Sequence, residues 1–178
     1  MRVYPIPEAL DWVSFGFETP VEAQEGMKKL MRAQIAYGIT CVDDEMFKTI
    51  RLPPPAPWIV QFFAEGWKPE VEFRVRKARE IIAGAGFGRE LPPNTVRMLW
   101  GGARGTSLRS RPPRRYMCVG CFHPMDATAA VFNVYNAVGR KYNMPRGMLW
   151  WTCQTYANAF PVYVYDELKD GPELAARA

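Results

Sequence analysis

Residues 19–42 read TPVEAQEGMKKLMRAQIAYGITCV. Thr19 offers a capping hydroxyl, Pro20 takes the first helical position, and Glu22 stands three residues after Thr19, the spacing of a capping box. Met27, Leu30, Met31 and Ile35 recur at helical intervals, while Glu22, Glu25, Lys28, Lys29 and Arg32 lie mostly on the opposite side. The pattern predicts a helix that stops at Gly38, followed at once by a β-like run over Ile39–Val42. A helix passing straight into a strand places the chain in the mixed α+β class.

Outward from this stretch the signals alternate. Asp43-Asp44-Glu45 opens a short helix, the acids compensating the charge of its N-terminus. Leu52-Pro53-Pro54-Pro55-Ala56-Pro57 is extended, a rigid spacer, because proline and pre-proline positions resist helix. Trp58–Glu65 reads as a short apolar helix closed by Gly66. Pro69 starts a second long helix whose stripe is Val71, Val75, Ala78 and Ile82. Gly84-Ala85-Gly86-Phe87-Gly88 follows that helix and leads to Pro92-Pro93. It therefore reads as a C-cap and loop, since a phosphate-cradling loop has strand before and helix after. Thr95–Trp100 and Arg114–Phe122 read as strands, 126–142 as a helix, and Met148–Gln154 and Val162–Tyr165 as strands. The expected fold is mixed α+β: two to four helices, a small, mostly antiparallel sheet in the C-terminal half, and extended proline-rich arms. The corresponding divisions are an extended arm at 1–18, a helical region at 19–88, a basic arm at 89–116, an aromatic-rich core or interface region at 117–168 and a tail at 169–178.

Charge is unevenly spread. Arg89–Arg115 holds seven arginines and one glutamate, a local +6, against +5 for the whole chain. Arg104, Arg109, Arg111, Arg114 and Arg115 lie among Gly, Ser and Pro, where guanidinium groups pair with phosphates or with partner carboxylates. Sixteen prolines and 13% aromatic residues add rigid connectors and large amphipathic rings, which suit interfaces. The first eight residues lack the apolar centre of a signal peptide. Four cysteines do not make a secreted disulfide framework at this length, so reduced thiols in an intracellular setting are the simpler account. Met148–Tyr165 carries no formal charge over 18 residues, long enough to be tested as a span. Gln154, Asn158 and Pro161 inside it favour a buried core or interface, with Arg140, Lys141 and Arg146 adjacent.

Cys118-Val119-Gly120-Cys121-Phe122-His123 is the sharpest short motif. Two thiolates and an imidazole at Cys118, Cys121 and His123 supply part of a zinc site, but a closed structural site needs four ligands and a second knuckle is missing. Cysteines on a strand are the plainer reading. His123 is the single histidine, so any Cys–His or Ser–His mechanism passes through it.

The expected function is a non-catalytic structural or accessory subunit of a large assembly, with an organellar membrane complex (the mitochondrial inner membrane) favoured over a virion. It docks on other protein subunits through the basic arm and aromatic surfaces, with no small-molecule substrate and no cofactor beyond possible zinc. The alternatives are a nucleic-acid-binding or ribonucleoprotein subunit using 89–115, with anionic lipid as another partner of that arm, and a small Cys/His enzyme.

Overall fold

The computed structural model describes residues 6–49, 53–95, 114–118, 120–142, 146–153 and 156–166. In chain order the elements are β1 (Ala9–Phe17), α1 (Pro20–Arg32), β2 (Gly38–Asp43), α2 (Asp44–Thr49), β3 (Trp58–Gly66), α3 (Lys68–Ala85), β4 (Arg89–Glu90), β5 (Arg114–Cys118), β6 (Cys121–Pro124), a 3-10 turn (Met125–Ala127), α4 (Thr128–Lys141), β7 (Arg146–Cys153) and β8 (Tyr156–Asp166). The strands form one antiparallel sheet in the order β4-β1-β3-β2-β7-β8-β5, with β6 also paired to β8. Among the described residues the fold is thus α+β, with four helices against an antiparallel sheet.

The capping box at the start of α1 is complete. Glu22 N–H donates to Thr19 Oγ1 at 3.2 Å, and Thr19 N–H donates to Glu22 Oε2 at 3.1 Å. The helix ends at Arg32, short of the expected stop at Gly38, because Gln34 turns to φ 54° and breaks the i to i−4 pattern. At the end of α3, Gly86 takes φ 75°, the left-handed conformation of a helix C-cap that glycine adopts without a Cβ penalty.

The sheet extends well beyond the C-terminal half. Residues 9–17, expected as an arm, are β1, paired along its full length with β3 from Ala9↔Gly66 to Phe17↔Trp58. Residues 58–66, expected as a helix, are β3, the strand between β1 and β2. The region 19–88 is therefore not purely helical. The expected strand over 114–122 is two strands, β5 and β6, both laid against β8. The uncharged stretch 148–165 supplies most of β7 and β8, whose register runs from Arg146↔Tyr163 to Cys153↔Tyr156. Among the described residues no helix is long and apolar enough to cross a membrane. The basic loop over 101–113 and the tail after Asp166 lie outside the described residues.

Alternation sorts each strand into two faces. The first face carries Val13, Phe15 and Phe17 of β1, Trp58, Val60, Phe62 and Ala64 of β3, and Ile39 and Cys41 of β2. These residues share one apolar core with Met27 and Leu30 of α1, Val71, Val75, Ala78 and Ile82 of α3, and Phe132 of α4. Burying a side chain such as Leu30 or Phe62 contributes about 1.5–3 kcal/mol. Two close approaches set the packing distance. A Cβ at Gly26 would stand 2.7 Å from Phe17 Cζ, and one at Gly88 would stand 2.5 Å from Phe17 Cε1. The Phe132 ring meets the Trp58 ring edge-on, 4.2 Å between centroids, and ties α4 to the sheet. Lys28 of α1 also pairs with Asp126 ahead of α4.

Candidate functional site

The second face of the sheet is unlike the first. Register sets its residues in cross-strand rows. Gly16 and Ile59 lie side by side, and Ile59 faces Val42. The next row is Ser14, Gln61 and Thr40, followed by Trp12, Phe63 and Gly38, and then by Leu10 and Glu65. The row at Gly16 is shut: a Cβ there would meet Ala56 Cβ at 2.7 Å and Leu91 Cδ2 at 3.0 Å. The Ser14–Gln61–Thr40 row is buried, and Thr40 Oγ1 donates to Gln61 Oε1 at 3.1 Å. Trp12 and Phe63 are partly exposed, Leu10 is exposed, and a Cβ at Gly38 would meet nothing within 4 Å.

The result is a graded surface. Its inner end is apolar and closed, its middle is polar and dry, and its outer end is an aromatic shelf with a gap at Gly38. A few polar groups behind flat apolar walls are the usual makings of a small-molecule site. The rings supply area at little entropic cost, and the buried amide and hydroxyl supply orientation. In backbone register Thr40 also stands opposite Trp151 of β7, and Trp151 opposite Asn158 of β8.

Of the residues singled out in the sequence, Arg114, Arg115, Cys118, Cys121 and His123 fall within described strands. Arg104, Arg109 and Arg111 lie outside the described residues, whereas Arg114 and Arg115 begin β5. Cys118 ends β5, while Cys121 and His123 sit on β6 in register with Ala159 and Ala157. Cys121 and His123, two residues apart on one strand, share its helix-covered face. Tyr135 Oη of α4 donates to Cys121 Sγ at 3.0 Å. His123 is buried, with Nδ1 2.9 Å from the Pro124 carbonyl oxygen, which places the proton on Nδ1. Its Nε2 is buried without a hydrogen-bond partner among the described residues. No group of three or more His, Cys, Asp or Glu able to hold a metal occurs among the described residues. Cys41 is fully buried under the sheet's first face, and burial, helped by the Asp43 carboxylate, pushes its thiol well above the usual range.

Side chains meet backbone N–H groups at the starts of α1, α2 and α4, whereas Trp67 at the start of α3 supplies no side-chain cap. On α1 the Glu22 N–H donates to Thr19 Oγ1 within the capping box. On α2 Met46 N–H donates to Asp43 Oδ1 at 3.0 Å, and on α4 Ala129 N–H donates to Gln24 Oε1 at 2.9 Å. The first turn of α3 carries Glu70, which pairs with Arg74.

Sequence reasoning missed the second face because both of its main strands were assigned otherwise. The signal was present. Val13, Phe15 and Phe17 alternate strictly, and WIVQFF at 58–63 is rich in β-branched and aromatic residues, which favour strand over helix.

No protein-family profile matches the sequence, and no curated protein matches it. Solved structures match by fold. The chain is similar to 4-ethylphenol oxidase from Gulosibacter chungangensis in its isoeugenol complex, with a TM-score of 0.74 and 10% identity, over 95% of this chain and 42% of that one. It is similar to p-cresol methylhydroxylase with substrate bound, TM-score 0.71 and 10% identity, over 93% of this chain and 40% of that one. It is also similar to an alkyldihydroxyacetonephosphate synthase, TM-score 0.64 and 11% identity, over 92% and 37%. The chain spans about two fifths of the length of the structures it matches.

These likenesses correct several expectations. A non-catalytic subunit of a large membrane assembly gives way, since the fold is shared with parts of three enzymes. Of the expected readings, the enzyme alternative agrees better with them. The expected partners, protein subunits with no small-molecule substrate, give way as well, because these enzymes act on small molecules. The expectation of no cofactor beyond zinc is also overturned. An oxidase and a methylhydroxylase move electron pairs, and ordinary side chains do not carry them.

Proposed function

We propose that this chain is the substrate-facing part of a flavin-dependent oxidoreductase, and that the second face of its sheet binds a small, flat organic molecule. One observation carries the reading: the partly exposed Trp12–Phe63–Gly38 row lies directly beside the buried Ser14–Gln61–Thr40 row, in which Thr40 and Gln61 are hydrogen-bonded. A ring laid on Trp12 and Phe63 fills the open space at Gly38 and brings a hydroxyl toward the Gln61 amide. The closed end at Gly16, Ala56 and Leu91 keeps water from the back of the site, which strengthens each polar contact there. Phenols such as 4-ethylphenol, named in one of the fold neighbours, have the required shape. A bound flavin supplies the electron acceptor for such a reaction. The residues of this chain bind, orient and shield the substrate.

The test is titration of the chain with 4-ethylphenol, followed by indole emission. Saturable quenching that Trp12→Phe removes supports the reading. Unchanged emission up to millimolar ligand, or quenching that survives both Trp12→Phe and Gly38→Leu, sinks it.

A further inference from the structure

Register carries the second face one row beyond its rings, to Leu10 and Glu65. Glu65 is half-buried, and among the described residues its carboxylate makes no hydrogen bond or ion pair. Two other acids at this end of the sheet are engaged. Glu70 pairs with Arg74, and Asp11 accepts from the Trp12 N–H at 2.8 Å. Partial burial removes some of the water around the Glu65 charge, so a cation arriving there is favoured more than at a fully solvated acid.

The spacing along β3 gives this acid a place in the site. Gln61, Phe63 and Glu65 alternate onto one face, so Gln61 and Glu65 stand roughly 13 Å apart with the Phe63 ring between them. A phenol seated on Trp12 and Phe63, with its hydroxyl toward Gln61, directs its para substituent toward Glu65. An extended two-carbon chain ending in ammonium, with a hydrogen bond of about 2.8 Å at each end, spans that separation. Its carbons lie against the exposed Leu10 side chain, and the ammonium leaves over the edge of rings whose faces attract cations.

Resting on the proposed reading of the shelf, we infer that its ligand is a phenol with a cationic para substituent, a 4-(aminoalkyl)phenol, and that Glu65 sets this preference by pairing with the ammonium. A carboxylate in the same place is repelled, and a bare alkyl chain leaves the Glu65 charge unanswered.

Isothermal titration of the 178-residue chain with tyramine and with 4-ethylphenol at neutral pH tests this, since the two ligands differ only by the ammonium group. Tyramine should bind at least about threefold tighter at low salt, and Glu65→Gln should bring the ratio to about one. A smaller preference, or one that survives Glu65→Gln, overturns the inference. Should the variant not fold, the parent decides alone: the preference must shrink between low and physiological salt, and a constant one overturns it. If neither ligand binds, the shelf reading falls and takes this inference with it. If both bind alike, the shelf stands and only this inference falls.

Discussion

Thr40 Oγ1 donates a 3.1 Å hydrogen bond to Gln61 Oε1 across β2 and β3, and both side chains are buried. The pair sits between a closed apolar row and a partly open aromatic row. A buried carboxamide and hydroxyl at this position hold each other in one geometry, which a site needs if it is to orient a ligand.

Removing the hydroxyl should cost stability as well as orientation. Thr40→Val removes the hydroxyl that donates to the Gln61 carbonyl and should destabilise the fold by about 1–3 kcal/mol. Thermal unfolding of T40V, of Gln61→Met and of the double variant measures it. The double variant should lose less than the sum of the singles, because both partners are then apolar.

Gly38 separates binding from folding. A side chain there meets nothing within 4 Å, so Gly38→Leu should unfold within about 1 kcal/mol of the parent. The same leucine occupies the gap beside Phe63 and should weaken binding of 4-ethylphenol at least tenfold, about 1.4 kcal/mol. Equal losses of binding and of stability would show that the gap serves packing alone.

Gly88 is the opposite case. Its φ of 84° disfavours a side chain, and a Cβ would press on the Phe17 ring at 2.5 Å. Gly88→Ala should destabilise by roughly 2–4 kcal/mol, combining backbone strain and overpacking. For Gly26→Ala, with ordinary helical backbone, adding Phe17→Leu should recover part of the loss, since only the ring is in the way.

The Lys28–Asp126 pair sets a pH limit on the docking of α4. The Lys28 ammonium holds the Asp126 carboxyl below its usual range, and Asp126 with Glu25 raises Lys28. A depressed carboxyl contributes stability that is present above its unfolded value near 3.8 and fades as pH falls through the lower folded value. A raised ammonium contributes below 10.5 and fades as pH rises through the higher folded value. Asp126→Asn should therefore lower the melting temperature at neutral pH and flatten its decline in acid, and the difference should shrink in high salt. Melting curves from pH 2 to 7 at two salt concentrations provide the check.

Cys41 should be inert while the protein is folded. It is fully buried and its thiol is pushed up, so thiolate is scarce. Alkylation at pH 8 followed by peptide mapping should leave Cys41 unmodified until denaturant is added. The half-buried Cys121, held by Tyr135, should react first of the two.

Local chemistry made the helices legible. Thr19, Pro20 and Glu22 announce the start of α1, the Val71–Ile82 stripe marks the inward side of α3, and Gly86 ends it, since each signal acts within a few residues of chain. The α+β class follows from these runs and the apolar segments between them. Partnership across the chain decided the rest. Residues 9–17 become a strand only because β3, some fifty residues on, offers Trp58–Gly66 as a hydrogen-bonding edge. Ser14, Gln61 and Thr40 are unremarkable polar residues in sequence, and become a buried row only when register sets three strands side by side. The basic segment and the Cys-x-x-Cys-x-His run drew attention because reactive residue types are visible without coordinates. A row that spans several strands is not, because alternation can mark a strand, but its hydrogen bonds run between distant residues and neither partner alone names the other.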